Sequence, residues 1–238
     1  MWAEPVLTHR LEDGWDIPLL VWRLASPALA ISSGPLGGGI GVRQWVVNAT
    51  VPMTYRRDDP DAHLTALADQ LDLRGPGVGL LTGVDVTERV SAVDQDVRVW
   101  ATVGLGTPIW AAEAGEPAEA DEVGAVDAEP ARPVGTVNIV ALLPVRLSEA
   151  ALVNAVATVT EAKVQALREL GLPGTGTPTD SVTLLCPPDG PVAPYGGPRS
   201  RWGAPLARAA CRAVRTGGAT PCVPWSDQPA RRAGVAPG

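Results

Sequence analysis

The sequence predicts an α+β fold: a mixed, largely antiparallel sheet in layers packed with helices, within a single domain. Three observations carry this. The chain has 238 residues, which fits one domain or at most two small ones at roughly 100–200 residues each and is long enough to close a core. Segments with strand character follow one another directly, without the strict strand–helix alternation of a doubly wound sheet. No segment repeats at a fixed period. An α/β sandwich is the alternative arrangement.

The elements follow in order. Residues 19–24 and 28–33 read as short strands, and a glycine-rich loop at 34–41 leads into a long strand at 42–51. There Trp45, Val47, Ala49 and Val51 alternate with polar Gln44, Asn48 and Thr50, the period of a half-buried strand. Asp59-Pro60 marks a helix start, with Asp as N-cap and Pro at the first helical position. That helix runs to about residue 73, with Leu64, Leu67, Ala68 and Leu71 as its apolar stripe. Strands follow at 78–82, 97–105 and 134–143. On the second of these, Val97, Val99, Ala101 and Val103 share a face. Ser148 caps a long helix over 149–170 that Gly171 closes. A second glycine loop at 174–180 precedes a strand at 182–185. A last helix spans about 202–215 and stops at Gly217-Gly218. The domain is read as 1–216. The tail at 217–238, with Pro221, Pro224, Pro229 and Pro237, is expected to be disordered.

Charge narrows the function classes. The formal net charge is −7. The stretch 111–131 holds Glu113, Glu116, Glu119, Asp121, Glu122, Asp127 and Glu129 and no Lys or Arg, so it carries the whole imbalance. A mixture of Ala, Gly, Pro and acid buries little apolar surface, and the stretch reads as a solvated insert. No basic patch or stacking array points to nucleic acid. No apolar run reaches the roughly 18 residues of a membrane span, and the N-terminus lacks a signal-peptide pattern; a cytoplasmic location is expected. Cys186, Cys211 and Cys222 are widely spaced and His9 and His63 are the only histidines. Neither a zinc framework nor HExxH chemistry is expected, and no cofactor. His63 falls on an expected surface helix, and both histidines read as solvated.

Three features are able to carry chemistry. The loop from Ser32 and Ser33 to Gly41 contains Gly37, Gly38 and Gly39 in a row. Its spacing fits neither a Walker loop nor a dinucleotide fingerprint. It is either a flexible connection or a backbone cradle for a ligand, and the entropy cost of three glycines favours the cradle. Next is Lys163, the single Lys beside 18 Arg. It lies in the middle of the apolar helix face formed by Leu152, Val156, Val159, Leu167 and Leu170. From the helix alone its stem snorkels to water; an ammonium kept where Arg would serve for charge alone points instead to chemistry. Glu161 lies on the polar side. The third is the loop with Thr177, Thr179 and Asp180, read equally as an Asp-capped turn or as a set of hydroxyl, N–H and carboxylate groups for a ligand.

Seven blocks then share an order and a spacing: SSGPLGGGIG at 32–41, WVVNATVP at 45–52, VGLLTGVDV at 78–86, WATVGLG at 100–106, VGTVNIV at 134–140, TEAKVQAL at 160–167 and GTGTPTDSV at 174–182. In these blocks the sequence resembles the adenosylcobinamide amidohydrolase family. It departs from the family pattern at Gly106-Thr107-Pro108, where Ser-Asn-Ala is usual, and at Pro178, where Ser is usual. The resemblance implies hydrolysis of the amide between aminopropanol and the corrin ring of adenosylcobinamide, giving adenosylcobyric acid and 1-amino-2-propanol, in corrinoid salvage. The partner it implies is a corrinoid small molecule, whose cobalt belongs to the substrate. Lys163, Asp180 and Glu161 are the expected catalytic residues. Ser32, Ser33, Gly37, Gly38, Gly39, Asn48, Asn138, Thr177 and Thr179 are expected around the substrate. A covalent and a direct-water mechanism stay open. The alternatives are a corrinoid-binding protein without catalysis and an amidohydrolase of another amide.

Overall fold

The computed structural model describes residues 4–106, 108–113 and 135–228. Thr107, the expected acidic insert from residue 114 on and the last ten residues lie outside the described residues. The elements are β1 (Val6–Glu12), β2 (Trp15–Ser32), β3 (Gly39–Thr50), α1 (Pro60–Gln70), β4 (Gly77–Thr82), β5 (Val90–Asp94), β6 (Val97–Val103), β7 (Val137–Leu142), β8 (Arg146–Leu147), α2 (Glu149–Glu169), β9 (Ser181–Cys186), β10 (Val192–Ala193) and α3 (Gly203–Gly218). The main sheet runs β4-β3-β2-β9-β7-β6-β5, with β1 paired to the first half of β2. Only β3–β4 and β7–β9 are parallel pairs in it. The expected α+β class with a mixed, largely antiparallel sheet is what the chain adopts.

The sheet is curled back on itself. Asn48 of β3 and Thr102 of β6 are four places apart in the strand order, which in a flat sheet means roughly 19 Å at about 4.8 Å per strand. Instead, Asn48 Nδ2 donates to Thr102 Oγ1 at 3.1 Å. The two limbs therefore face each other. Leu20, Trp22, Val46, Val78, Leu80, Trp100, Val140 and Leu142 fill the space between them, with Trp22 and Trp100 edge to face at 5.9 Å. The period-2 alternation of the strands then supplies an outer face on each limb. On one, Leu19, Val21, Trp45 and Val47 pack under Leu64, Leu67 and Ala68 of α1. On the other, Val97, Val99, Ala101, Ile139 and Ala141 pack under α2 and α3. Among the described residues no helix is long and apolar enough to cross a membrane.

Several boundaries depart from expectation for identifiable reasons. β2 is one strand rather than two, with its register shifting between Arg23 and Ala28; Pro27, which has no N–H to donate, falls in that irregularity. β1 and β5 were not expected. Asp59 stands at the N-cap of α1 but makes no capping bond, because its carboxylate is held by Arg57 at 2.7 and 2.8 Å. Ser148 does cap α2, accepting from Ala151 N at 3.1 Å, and Gly171 turns the chain out of it at φ +72°. Gly217 and Gly218 belong to α3 rather than stopping it. A Cβ on them would press on Val103 and on Leu105 and Leu170, so these glycines serve close packing. The start of the expected tail is also ordered: Trp225 is fully buried, meets Trp15 edge-on at 5.8 Å and donates its backbone N–H to Gly83 O.

Candidate active site

The glycine loop after α2 folds back against the helix that precedes it. Lys163 sits two turns from the end of α2 on its buried face, and its ammonium forms an ion pair with Asp180 Oδ2. Both side chains are nearly sealed, at 10% and 12% exposure. The expectation that the Lys163 stem snorkels to water is thus corrected: a carboxylate receives the ammonium inside the protein, which is what a charge on an apolar face requires. Gly176 makes this possible, since a Cβ there would collide with both Lys163 Nζ and Asp180 Oδ2.

Asp180 is saturated. Oδ1 accepts from Val137 N at 2.9 Å and Thr177 Oγ1 at 2.5 Å, and Oδ2 accepts from Thr177 N at 3.0 Å as well as from Lys163. A carboxylate offers about four lone-pair sites, and all four are taken. The carboxylate therefore ties together α2, the glycine loop and the start of β7. Beside it, Thr179 Oγ1 and Thr136 Oγ1 lie 2.7 Å apart. Such a hydroxyl pair uses one of its two protons internally and leaves the other to donate outward.

These groups border a cavity of about 570 Å³ where the ends of five strands converge. Ser33 and Pro35 after β2 form one wall. Val51, Pro52, Met53, Tyr55 and Arg56 after β3 form the next, followed by Leu81, Thr82 and Gly83 at the end of β4. Thr136 before β7 and Pro178, Thr179, Asp180 and Ser181 before β9 complete it. A second cavity of about 660 Å³ lies between β5, β6 and the segment after α3. It holds a lone carboxylate, Glu88, and a lone thiol, Cys222, which burial pushes up to about 11. Glu88 there accepts from Gln228 Nε2 at 3.4 Å, whereas in the first cavity a threonine hydroxyl pair and a buried ion pair meet at one wall, which makes it the candidate site.

The structure brings only part of the expected set together. Ser33, Thr179 and Asp180 line the cavity; Lys163 and Thr177 stand directly behind Asp180. Ser32 is buried at the end of β2 and does not line the cavity, its Oγ 2.8 Å from Thr183 Oγ1. Gly37, Gly38 and Gly39 do not reach it. Their loop is pinned by Arg43, which donates to Gly37 O at 2.8 and 3.1 Å, and it bridges back to β4 through Leu36 and Gly79. A Cβ at Gly37 would strike Gly77 O, so close packing accounts for that glycine. Asn48 and Asn138 lie between the limbs, where Asn138 donates to Asn48 Oδ1 and to Leu81 O, both at 2.9 Å. Glu161 is exposed on α2. Sequence reasoning missed Thr136, Tyr55 and Met53. It also took His63 as solvated, whereas His63 is 4% exposed and 3.0 Å from Tyr55.

An α+β domain with a polar pocket at converging strand ends is the class that fold and site define. Within that class, the model of the adenosylcobinamide amidohydrolase family matches residues 4–222, and the chain belongs to this family. A relative from Halobacterium salinarum named adenosylcobinamide amidohydrolase is 35% identical over 198 residues, covering 82% of each chain. One of the same name from Methanosarcina mazei is 28% identical over 198 residues, covering 79% of this chain and 88% of its own. The crystal structure of the PH0078 protein from Pyrococcus horikoshii OT3 is similar over 84% of this chain and 75% of its own, at 12% identity and a TM-score of 0.42.

Proposed function

We propose that this protein hydrolyses the amide that joins aminopropanol to the corrin ring of adenosylcobinamide, releasing adenosylcobyric acid and 1-amino-2-propanol for corrinoid salvage. Family membership and the names of the two relatives support the substrate class. The observation that carries the chemistry is the Thr136–Thr179 hydroxyl pair, set in a cavity wall that a buried ion pair anchors.

Amide hydrolysis needs an attacking oxygen, a donor to the tetrahedral oxyanion and a proton for the leaving amine. In this reading the cavity takes the amide arm, while the far larger corrin ring, with its cobalt, rests outside the mouth. Its walls mix apolar Pro35, Pro52, Met53 and Leu81 with a few polar groups, as expected of a small-molecule site. The free proton of the Thr136–Thr179 pair points the carbonyl oxygen and then stabilises the oxyanion. Asp180 has no lone pair to spare for a proton, so it and Lys163 are positioning residues that fix the height of Thr179.

Incubating the pure protein with adenosylcobinamide and separating the corrinoids by chromatography tests this. Adenosylcobyric acid should accumulate with time and enzyme concentration. Tight binding without product would replace the reading with a corrinoid carrier.

A further inference from the structure

We infer that Tyr55, His63 and Glu12 form a proton relay opening onto the cavity, with Tyr55 as the catalytic acid–base and the other two as positioning residues. The inference rests on the hydrolase reading above and supplies the proton transfers that the saturated Asp180 leaves unassigned.

The geometry is that of three groups in series. Tyr55 is on the cavity wall. Its hydroxyl is 3.0 Å from His63 Nδ1, and the two rings stack at 5.5 Å and 24°. His63 itself is buried on the inner face of α1. Behind it, Glu12 Oε1 stands 3.1 Å from Nε2, off the N–H direction, so the contact is one of charge rather than an aligned hydrogen bond. Glu12 is in turn fixed by Arg10, which bonds its other oxygen at 2.6 Å and Thr50 O at 2.8 Å. Arg10 is itself buried. Three buried or half-buried polar side chains from the edge strand β1 and from α1 therefore converge behind one phenol.

The tautomer follows from this order. A carboxylate faces Nε2, which favours the proton there. Nδ1 then carries a lone pair and accepts the Tyr55 O–H. The phenolic oxygen keeps lone pairs able to take a proton from a water in the cavity. In the forward step, water gives a proton to Tyr55 Oη as the phenol proton passes to His63 Nδ1. The hydroxide oxygen bonds to the amide carbon, and the carbonyl oxygen becomes the oxyanion. His63 is then an imidazolium stabilised by Glu12. As the C–N bond breaks, the proton returns through Tyr55 to the leaving nitrogen. One water is consumed, one acid and one amine form, and the relay ends as it began. The logic is that of an acid-oriented imidazole serving a hydroxyl.

The charged surroundings of His63 are Glu12 and Arg10 from β1 and Arg57 and Asp59 from the turn before α1. Burial holds the imidazole below its usual range, with Glu12 opposing and Arg10 and Arg57 adding to the effect. His63 thus rests uncharged at neutral pH, and Glu12 offsets part of the cost of protonating it.

The test is Tyr55→Phe, which keeps the stacked ring and removes the oxygen, with Glu12→Gln beside it. On adenosylcobinamide, Tyr55→Phe should keep a cooperative melt and a KM near wild type while kcat falls on the order of 10²–10⁴-fold. Glu12→Gln should lower kcat less and move the acid limb of kcat/KM to lower pH, a change that a purely structural role would not produce. An active wild type with Tyr55→Phe within about threefold of it, or with KM alone raised, overturns the relay and leaves the hydrolase reading standing. A wild type inert on adenosylcobinamide overturns both.

Discussion

Replacing Lys163 by Met removes the ammonium while keeping an unbranched stem of similar length, which isolates the charge. The ion pair with Asp180 is almost sealed from water, at 10% and 12% exposure. Breaking a buried pair costs about 3–5 kcal/mol because the surviving charge is left uncompensated. Here Asp180 would still hold Val137 N, Thr177 N and Thr177 Oγ1, so the low end, about 3 kcal/mol, applies. For a chain of this size, at about 2–4 °C per kcal/mol, that is a Tm fall of roughly 6–12 °C. The assay is thermal unfolding of Lys163→Met, Asp180→Asn and the double variant. The double variant should be less destabilised than the sum of the singles, by about 1–3 kcal/mol of coupling. Strict additivity, or a Lys163→Met melt within 2 °C of wild type on the ~2–4 °C per kcal/mol scale, would refute the view that this pair anchors the cavity wall.

Three further outcomes follow from other parts of the molecule. Gly176→Ala places a methyl against both members of that ion pair and should cost about 1–3 kcal/mol by overpacking; a wild-type melt would show that the loop has room. Asp94 is held down to about 2 by Arg208 and then by Arg212, from an ordinary 3.8. A depressed carboxylate stabilises above its unfolded value and loses that contribution as pH falls through the folded one. The stability gap between wild type and Asp94→Asn should therefore be present at pH 6 and close between pH 4 and pH 2. Because both arginines are about half exposed, the gap should be no more than roughly 1 kcal/mol, and a pH-independent gap would contradict the assignment. Finally, among the described residues no three His, Cys, Asp or Glu side chains gather as a metal site. Turnover should survive EDTA, and loss of activity restored by a divalent ion would overturn that expectation.

Local rules were readable in the chain and long-range closure was not. α2 was legible because Ser148, Gly171 and the spacing of Leu152, Val159 and Leu167 each act within a few residues of one another. The β3 and β6 faces were legible from period-2 alternation. β1 was not: Thr8, His9, Arg10 and Glu12 carry too little apolar signal, and the strand exists because β2 offers it an edge. The curl of the sheet left no local trace either, since it depends on Asn48 meeting Thr102 and Asn138 across the interior. The site divides in the same way. Asp180, Thr177 and Thr179 stood out as a cluster within one loop, and Lys163 as the lone ammonium on an apolar face. Thr136 and Thr179 are 43 residues apart, and no spacing rule joins them. His63 read as solvated because its partners, Glu12 on β1 and Tyr55 before the helix, become neighbours only when β1 docks. Gly37 showed the opposite failure, a conspicuous glycine whose freedom serves packing against β4.

The proposed reaction is amide hydrolysis of adenosylcobinamide at the cavity bounded by Thr136, Thr179 and Tyr55. The most direct measurement is a timed reaction of the pure protein with adenosylcobinamide in which both products are quantified together. Adenosylcobyric acid and 1-amino-2-propanol should rise in a one-to-one ratio, with Tyr55→Phe slowing both alike. Adenosylcobinamide recovered intact, bound or free, after prolonged incubation would contradict it.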